Sequence, residues 1–296
     1  MVRVDAFATL RFFYPLRRML WRAGGLPILM YHSVSRREEK AHPYYRTVTS
    51  PEAFAAQMQY LSDRGYSAIN LEEAAKRRRE SCTGSRREVA ITFDDGFRDF
   101  YTSAFPILNR HGFTATMFLP TAHIGNSTQS FKGVDCMTWS EVREMHRAGI
   151  HFGSHTVTHP QLVTLTEKQV EYEVKASKDR IEQELGCAAS SFSYPYAFPE
   201  TNTAFVGMLR RHLQQVGYVN GVSTIIGTAG PADDALFLRR LPVNTCDDRA
   251  LLEAKLAGGY DWLHTAQAAW KRLAPAKRKQ RGNAEFATSV PGELGK

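Results

Sequence analysis

The stretch VAITFDDGF, Val89 to Phe97, runs an apolar segment straight into two aspartates and a glycine. Its β-branched and aromatic residues predict a buried strand over Val89–Phe93, and Gly96 permits a tight turn directly after it. Adjacent carboxylates at a strand end repel each other unless they share a cation or a proton. One reading is that one aspartate binds a metal ion while the other stays free as a base. The plainer reading is a solvated Asp-Gly turn. The surrounding chain has to separate them.

Outward from this stretch, strand-like and helix-like segments alternate. Expected strands are Pro27–Tyr31, Ser67–Asn70, Val89–Phe93, Thr114–Leu119, Ile150–Gly153, Ser191–Tyr194, Tyr218–Ile226 and Phe237–Val243. Between them, Ser50-Pro51 caps a helix in which Phe54, Met58 and Leu61 recur at helical spacing until Gly65 stops it. Further helices are expected over Leu71–Arg79, Phe105–His111, Ser140–Ala148, Thr166–Leu185, Thr203–Val216, Arg249–Leu256 and Tyr260–Leu273, with a Gly/Ser/Thr-rich loop before Ser140. Repeated β-α alternation argues for parallel strands with helices outside, in a sheet or a barrel. No linker interrupts the body, so residues 24–273 read as one domain, flanked by a basic segment 1–23 and a basic tail 274–296 read as disordered.

The 296 residues carry a net charge of +8, but its location matters more than its size. Residues 1–23 hold five Arg and one Asp, and residues 271–296 hold seven Lys or Arg and two Glu. The body is therefore close to neutral, which argues against nucleic acid as a partner. The run Lys76-Arg77-Arg78-Arg79 reads as a solvated helix end. Cys82, Cys136, Cys187 and Cys246 form no C-x-x-C pair and suggest neither a zinc knuckle nor a disulfide framework. In the N-terminal segment, Arg11, Arg17 and Arg18 interrupt any signal-like apolar core, and no run is long enough to span a bilayer. Two readings of residues 7–23 stay open: a helix lying on an anionic membrane surface, or an arm packed on its own domain or a neighbour. The expected location is cytoplasmic or peripheral to the membrane, with the periplasm or cell surface as the alternative.

Two more stretches follow expected strands, the position where catalytic groups gather in a parallel barrel. In GSHTVTHP, Gly153 to Pro160, His155 and His159 are four apart, so one helical turn would aim both imidazoles at one point. Two His and one carboxylate, with coordination positions left over, describe a catalytic metal site. A lone His pair would more plainly be a solvated face. In SFSYPYAF, Ser191 to Phe198, Tyr194-Pro195-Tyr196 forms a stiff turn. Tyr194 reads as a packed residue. For Tyr196 the functional reading is a backbone N–H oxyanion donor, with the ring as a platform for a sugar.

In this order and context the three motifs resemble the polysaccharide deacetylase family, the NodB-like carbohydrate esterases of family 4, which remove N-acetyl groups from amino sugars. The resemblance spans roughly residues 24–257 and implies a distorted (β/α)7 barrel of NodB-homology type. Carried over onto TFDDG and HTVTH, it implies Asp94 as catalytic base and Asp95, His155 and His159 as ligands of one divalent ion. Zn2+ is the expected ion, with Co2+, Ni2+ or Mn2+ as alternatives. The third motif, with Pro195 and Tyr196, departs from the family pattern: Ser193 stands where an arginine usually orients the catalytic aspartate, and Ala197 where glycine is common. The late L-x-H motif, whose histidine acts as general acid, is missing, since FLRRLPVN has no histidine and His264 lies in an expected helix. The early strand instead ends Met30-Tyr31-His32. A circularly permuted barrel would place His32 where the missing histidine belongs, as in the branch that includes poly-N-acetylglucosamine deacetylases.

The expected protein is thus a metal-dependent hydrolase acting on an N-acetylated amino sugar in a polysaccharide or glycoconjugate. The alternatives are a deacetylase or deformylase of a lipid-linked or small-molecule amide, and a non-catalytic glycan-binding module.

Overall fold

The computed structural model describes residues 3–20, 25–77 and 87–273. Seven parallel strands form a closed barrel: β1 Ile28–Tyr31, β2 Glu88–Phe93, β3 Thr116–Leu119, β4 His151–Ser154, β5 Ser191–Ser193, β6 Asn220–Ile226 and β7 Leu238–Pro242. Around the ring the order is β1-β7-β6-β5-β4-β3-β2, and β2 pairs back onto β1. The short strand Ser67–Ile69 lies outside the ring and shares the edge of β2: it pairs with Glu88–Ala90, while β3 pairs with Thr92 and Phe93.

The early strand is what closes the barrel. Leu29 is in register with Leu241 on one side and with Ile91 on the other. The Asp94 N–H donates to the Tyr31 carbonyl at 3.1 Å, so the chain leaves β1 and β2 at the same level. This is the strand order expected of the permuted arrangement.

Both faces of the strands are buried, and the period-2 alternation of side chains divides them between two environments. In β2, Val89, Ile91 and Phe93 join the outer apolar layer under the helices, whereas Ala90 joins Ile28, Phe118, Val222 and Leu238 inside the barrel. Leu71 and Ala74 pack onto this inner floor. The interior is therefore apolar at its base and polar only towards the ends of the strands.

The helices are α1 Pro51–Asp63, α2 Leu71–Arg77, α3 Phe105–Arg110, α4 Trp139–Arg147, α5 Glu167–Leu185, α6 Thr203–Val216, α7 Arg249–Leu256 and α8 Trp262–Leu273. The expected starts rest on local chemistry. Ser50 Oγ accepts from the Ala53 N–H, and capping boxes open α4 (Thr138, Glu141) and α5 (Thr166, Gln169). Arg78, Arg79, Cys82 and the tail 274–296 lie outside the described residues. Ion pairs of Lys76 with Glu72 and of Arg77 with Glu73 and Glu88 occupy the basic end of α2.

One feature departs from expectation. The loop before α4 contains a hairpin, Ser130–Phe131 against Val134–Asp135, with Lys132 and Gly133 at its tip in left-handed conformation. A tip of this kind carries little hydrophobic signal, so composition alone read it as loop. The N-terminal segment is helical from Val4 to Met19, with a π-helical turn over Thr9–Phe13, and Pro15 sits at the first turn of its last section, where its ring is tolerated. It packs on its own domain. Tyr260 Oη donates to Asp5 Oδ2 at 2.5 Å, Trp262 Nε1 donates to Thr9 Oγ1 at 2.9 Å, and Arg3 pairs with Asp247 at 2.8 Å.

Candidate metal and catalytic centre

The strand ends bring the chemistry together. Asp94 continues the inward-facing series of β2, following Ala90 and Thr92, and is buried. Asp95 begins the turn with φ 74° and Gly96 continues it with φ 66°. A Cβ at Gly96 would come within 2.9 Å of Ile124 Cδ1, so both its conformation and its surroundings require glycine. Aspartate tolerates the left-handed region better than most residues, which lets Asp95 point away from Asp94.

Asp95 meets both histidines. Its Oδ1 lies 3.2 Å from His159 Nε2 and 3.7 Å from His155 Nε2. The three ligand atoms lie within 4.8 Å of one another and all three residues are buried. The helical turn expected for H-x-x-x-H is not how this happens. His155 leaves β4 and His159 is in a loop, with Thr156 at φ 70° and His159 at φ 57°. These left-handed positions fold the segment back on itself, so the four-residue spacing converges without a helix. Glu173 on α5 holds the fold: its Oε2 accepts from the Val157 and Thr158 N–H groups at 2.8 and 2.9 Å, and its Oε1 from Thr158 Oγ1 at 2.6 Å.

The donor set fits a divalent cation. His155 Nδ1 lies 2.8 Å from the Ser193 carbonyl, which can only accept, so Nδ1 carries the proton and Nε2 presents its lone pair. Burial pushes the His155 pKa down to about 3 against the partly offsetting Asp94, keeping the imidazole neutral. Asp95 Oδ1 is buried with no hydrogen-bond partner, although burial alone would disfavour its charge. The neighbouring His159 contact and the Lys132 ammonium outweigh that burial and hold its pKa well below the usual range. A buried ionised oxygen 3.2 and 3.7 Å from two imidazole Nε2 atoms is the arrangement expected of a two-His, one-carboxylate site.

Asp94 is held differently. Arg240 on β7 is fully buried and grips it with two bonds, Nη1 to Oδ1 at 2.9 Å and Nη2 to Oδ2 at 2.8 Å. Ser193 Oγ donates to Oδ1 at 3.1 Å. Burial raises the Asp94 pKa, but the Arg240 charge and hydrogen bonds overcome it and leave the carboxylate ionised. Arg240 thus supplies, from another strand, the charged restraint missing at position 193, and Ser193 adds one hydrogen bond. It was legible in FLRRLP only through parity: Arg240 shares the face of Leu238, and a both-faces-buried strand cannot carry an inward arginine without an anion.

His32 follows β1, with Nε2 4.0 Å from Asp94 Oδ2. Burial lowers its pKa, opposed by Asp94 and then Asp95. The ring is 21 % exposed, so water moderates that effect. Pro195 leads into Tyr196, a residue 38 % exposed with φ 59°, whose ring stands edge-on to His159 at 4.7 Å. Tyr194 is buried against Phe198 and Phe205. The hairpin closes the other side. Lys132 Nζ lies 3.1 Å from Asp95 Oδ2 and reaches over the rings of Phe131 and Tyr196, and Phe131 stands 5.2 Å from His159.

Asp95, Lys132, Thr156, His159 and Tyr196 are the five non-glycine residues with positive φ among those described, and all belong to this centre or the segment that shapes it. Backbone strain is concentrated where side chains must converge.

A family model described as polysaccharide deacetylase matches residues 82–219. A Bacillus subtilis protein, YxkH, whose name assigns it to the polysaccharide deacetylases, is 31% identical over 219 residues, covering 74% of this chain and 71% of that one. A poly-beta-1,6-N-acetyl-D-glucosamine N-deacetylase of Staphylococcus epidermidis is 34% identical over 111 residues, 37% of each chain. Among solved structures, the Streptococcus pyogenes deacetylase PplD in complex with acetate superposes with a TM-score of 0.68 at 25% identity, covering 79% of this chain and 99% of that chain. IcaB from Ammonifex degensii gives 0.65 at 23% identity, covering 80% and 98%, and shares the fold.

Proposed function

Because the chain belongs to the polysaccharide deacetylase family, we propose that it hydrolyses the N-acetyl amide of an amino sugar within a polysaccharide, with a poly-β-1,6-N-acetylglucosamine-like polymer as the first substrate to try. The observation that carries this reading is the pair of differently held aspartates: Asp95 facing His155 and His159, and Asp94 gripped by Arg240 with His32 beside it.

Asp95, His155 and His159 would hold one divalent ion, Zn2+ by the chemistry of the donor set. When bound, such an ion supplies Lewis acidity, making water acidic near neutral pH and polarising a carbonyl oxygen. Asp94, ionised and fixed by Arg240 and Ser193, accepts the proton lost by the attacking water. His32 gives a proton to the amide nitrogen as the C–N bond breaks, since an amide anion leaves poorly. The proton gained by Asp94 then replaces the one lost by His32, whose Nε2 is 4.0 Å from Oδ2. The products are the amine and acetic acid, which part as ammonium and acetate, and the proton count is restored. The Tyr196 N–H serves as an oxyanion donor beside Pro195, and its half-exposed ring offers a face to the sugar.

Acetate release from N-acetylglucosamine oligomers should disappear after chelation and return with added metal. Asp94→Asn should abolish turnover while metal still binds. For His32, burial places the basic limb of kcat/KM below the ordinary histidine value of 6.5, and a bound cation shifts it the same way. His32→Ala should lose that limb along with most of kcat. Full activity in Asp94→Asn, or an unchanged basic limb in His32→Ala, would sink the corresponding role.

A further inference from the structure

The N-terminal helix has a second face that its docking leaves uncovered. Asp5 and Thr9 turn inward, and Phe13 stacks on Trp262 with ring centroids 4.3 Å apart. On the opposite side Val4, Phe7, Phe12, Leu16, Met19 and Leu20 are exposed, Val4 by 71 % and Met19 by 70 %. Their spacing is three, five, four and three residues up to Met19. The five-residue step from Phe7 to Phe12 would rotate an ordinary α-helix off its stripe. It runs into the π-helical turn Thr9–Phe13, whose wider i→i+5 geometry brings that step close to a single turn. The backbone irregularity therefore aligns large apolar groups on one outward face. That face has Arg11 one turn from Phe7, and Arg18 stands exposed near it.

We propose that this face docks on the surface of a membrane containing anionic phospholipid. An outward apolar stripe accompanied by exposed arginines is the pattern of a helix lying in the headgroup region. Among the described residues no helix is long and apolar enough to cross a membrane, so the contact lies in the plane of the surface. Charge decides between lipid and a second copy of this chain. Two such faces packed together would bring Arg11 and Arg18 against like charges, whereas anionic headgroups neutralise them. Internal hydrogen bonds and ion pairs tie the other face of the helix to the body, so binding would carry the whole domain to the surface.

The test is co-sedimentation of the full chain with vesicles of phosphatidylcholine, with and without about 30% phosphatidylglycerol. The wild type should sediment with the anionic vesicles, and less so as salt shortens the screening length. Phe7→Glu with Leu16→Glu changes exposed positions only and should lower partitioning at least about tenfold, with an unaltered circular dichroism spectrum. Arg11→Glu with Arg18→Glu should weaken binding to anionic vesicles and leave the neutral ones unaffected. Absence of binding to anionic vesicles at low salt overturns the proposal, as does equal binding by the Phe7/Leu16 variant. A dimer in solution that the same variant dissociates would assign the face to a second copy instead. None of these outcomes depends on the catalytic reading.

Discussion

At the scale of single residues, the two aspartates of one dipeptide receive opposite treatment from their neighbours. Arg240 binds Asp94 through both oxygens, while Asp95 keeps Oδ1 unpartnered. Removing one partner of a buried pair is strongly destabilising, so Arg240→Met should cost about 3–5 kcal/mol in thermal or denaturant unfolding. Arg240→Lys keeps the charge but loses the fork. It should fold, and its kcat should fall about 100-fold with little change in KM, because Asp94 is no longer aimed. A wild-type kcat for this variant would show that orientation is not its role. Lys132 acts on Asp95 from the mouth, at 3.1 Å from Oδ2. An ammonium and a divalent ion draw on the same carboxylate, so Lys132→Met should tighten metal binding, by about tenfold, in a competition titration. Weaker binding would mean that Lys132 orients the carboxylate more than it competes.

At the scale of elements, α5 holds the histidine loop in place from outside the barrel. Glu173 is buried and accepts three hydrogen bonds from Val157 and Thr158. The loop's left-handed residues have no helical ladder to support them, so the carboxylate stands in for one. Glu173→Ala takes this partner from the part-buried Val157 and Thr158 N–H groups and should lower stability by about 1 kcal/mol. It should also weaken metal affinity about 10–100-fold, read by chelator competition, because His159 loses its fixed position. Stability lost without any change in affinity would make Glu173 a purely structural residue. The hairpin that carries Phe131 and Lys132 works at the same scale, and so does the N-terminal helix, whose π turn sets which residues face outward.

For the whole molecule, ionisation of the centre makes acid the destabilising condition. The folded protein holds His155 neutral down to about pH 3, whereas the unfolded chain protonates it near 6.5. Stability should therefore decline as pH falls from about 6.5 towards 3. Asp94 adds to this at lower pH: its folded pKa is depressed, so its contribution is present above the ordinary carboxylate value near 3.8 and is lost below it. Melting temperatures of metal-free protein across pH 7 to 4 should fall steadily, and a flat profile would contradict the His155 effect. Added metal should raise the melting temperature at pH 7 and lose that effect on acidification, because protons compete for the same ligands.

The sequence by itself determined the barrel and most of the residues that gather at the ends of its strands. Alternating apolar strands and capped helices are local patterns, and TFDDG and HTVTH place their side chains within a few residues of a strand end, where the fold gathers them. The absence of a late histidine also pointed to His32, because ring closure requires a strand beside β2. What the sequence could not fix were relations between segments far apart along the chain. Arg240 and Asp94 are separated by 146 residues and meet only because β7 and β2 flank β1. His155 and His159 converge through left-handed backbone held by Glu173, not through a helix whose spacing they imitate. Lys132 reaches Asp95 from a hairpin with no periodic signal. Hydrophobic periodicity reports which face of an element is buried, but not which polar group waits on the other side, and that is decided only when the ring closes.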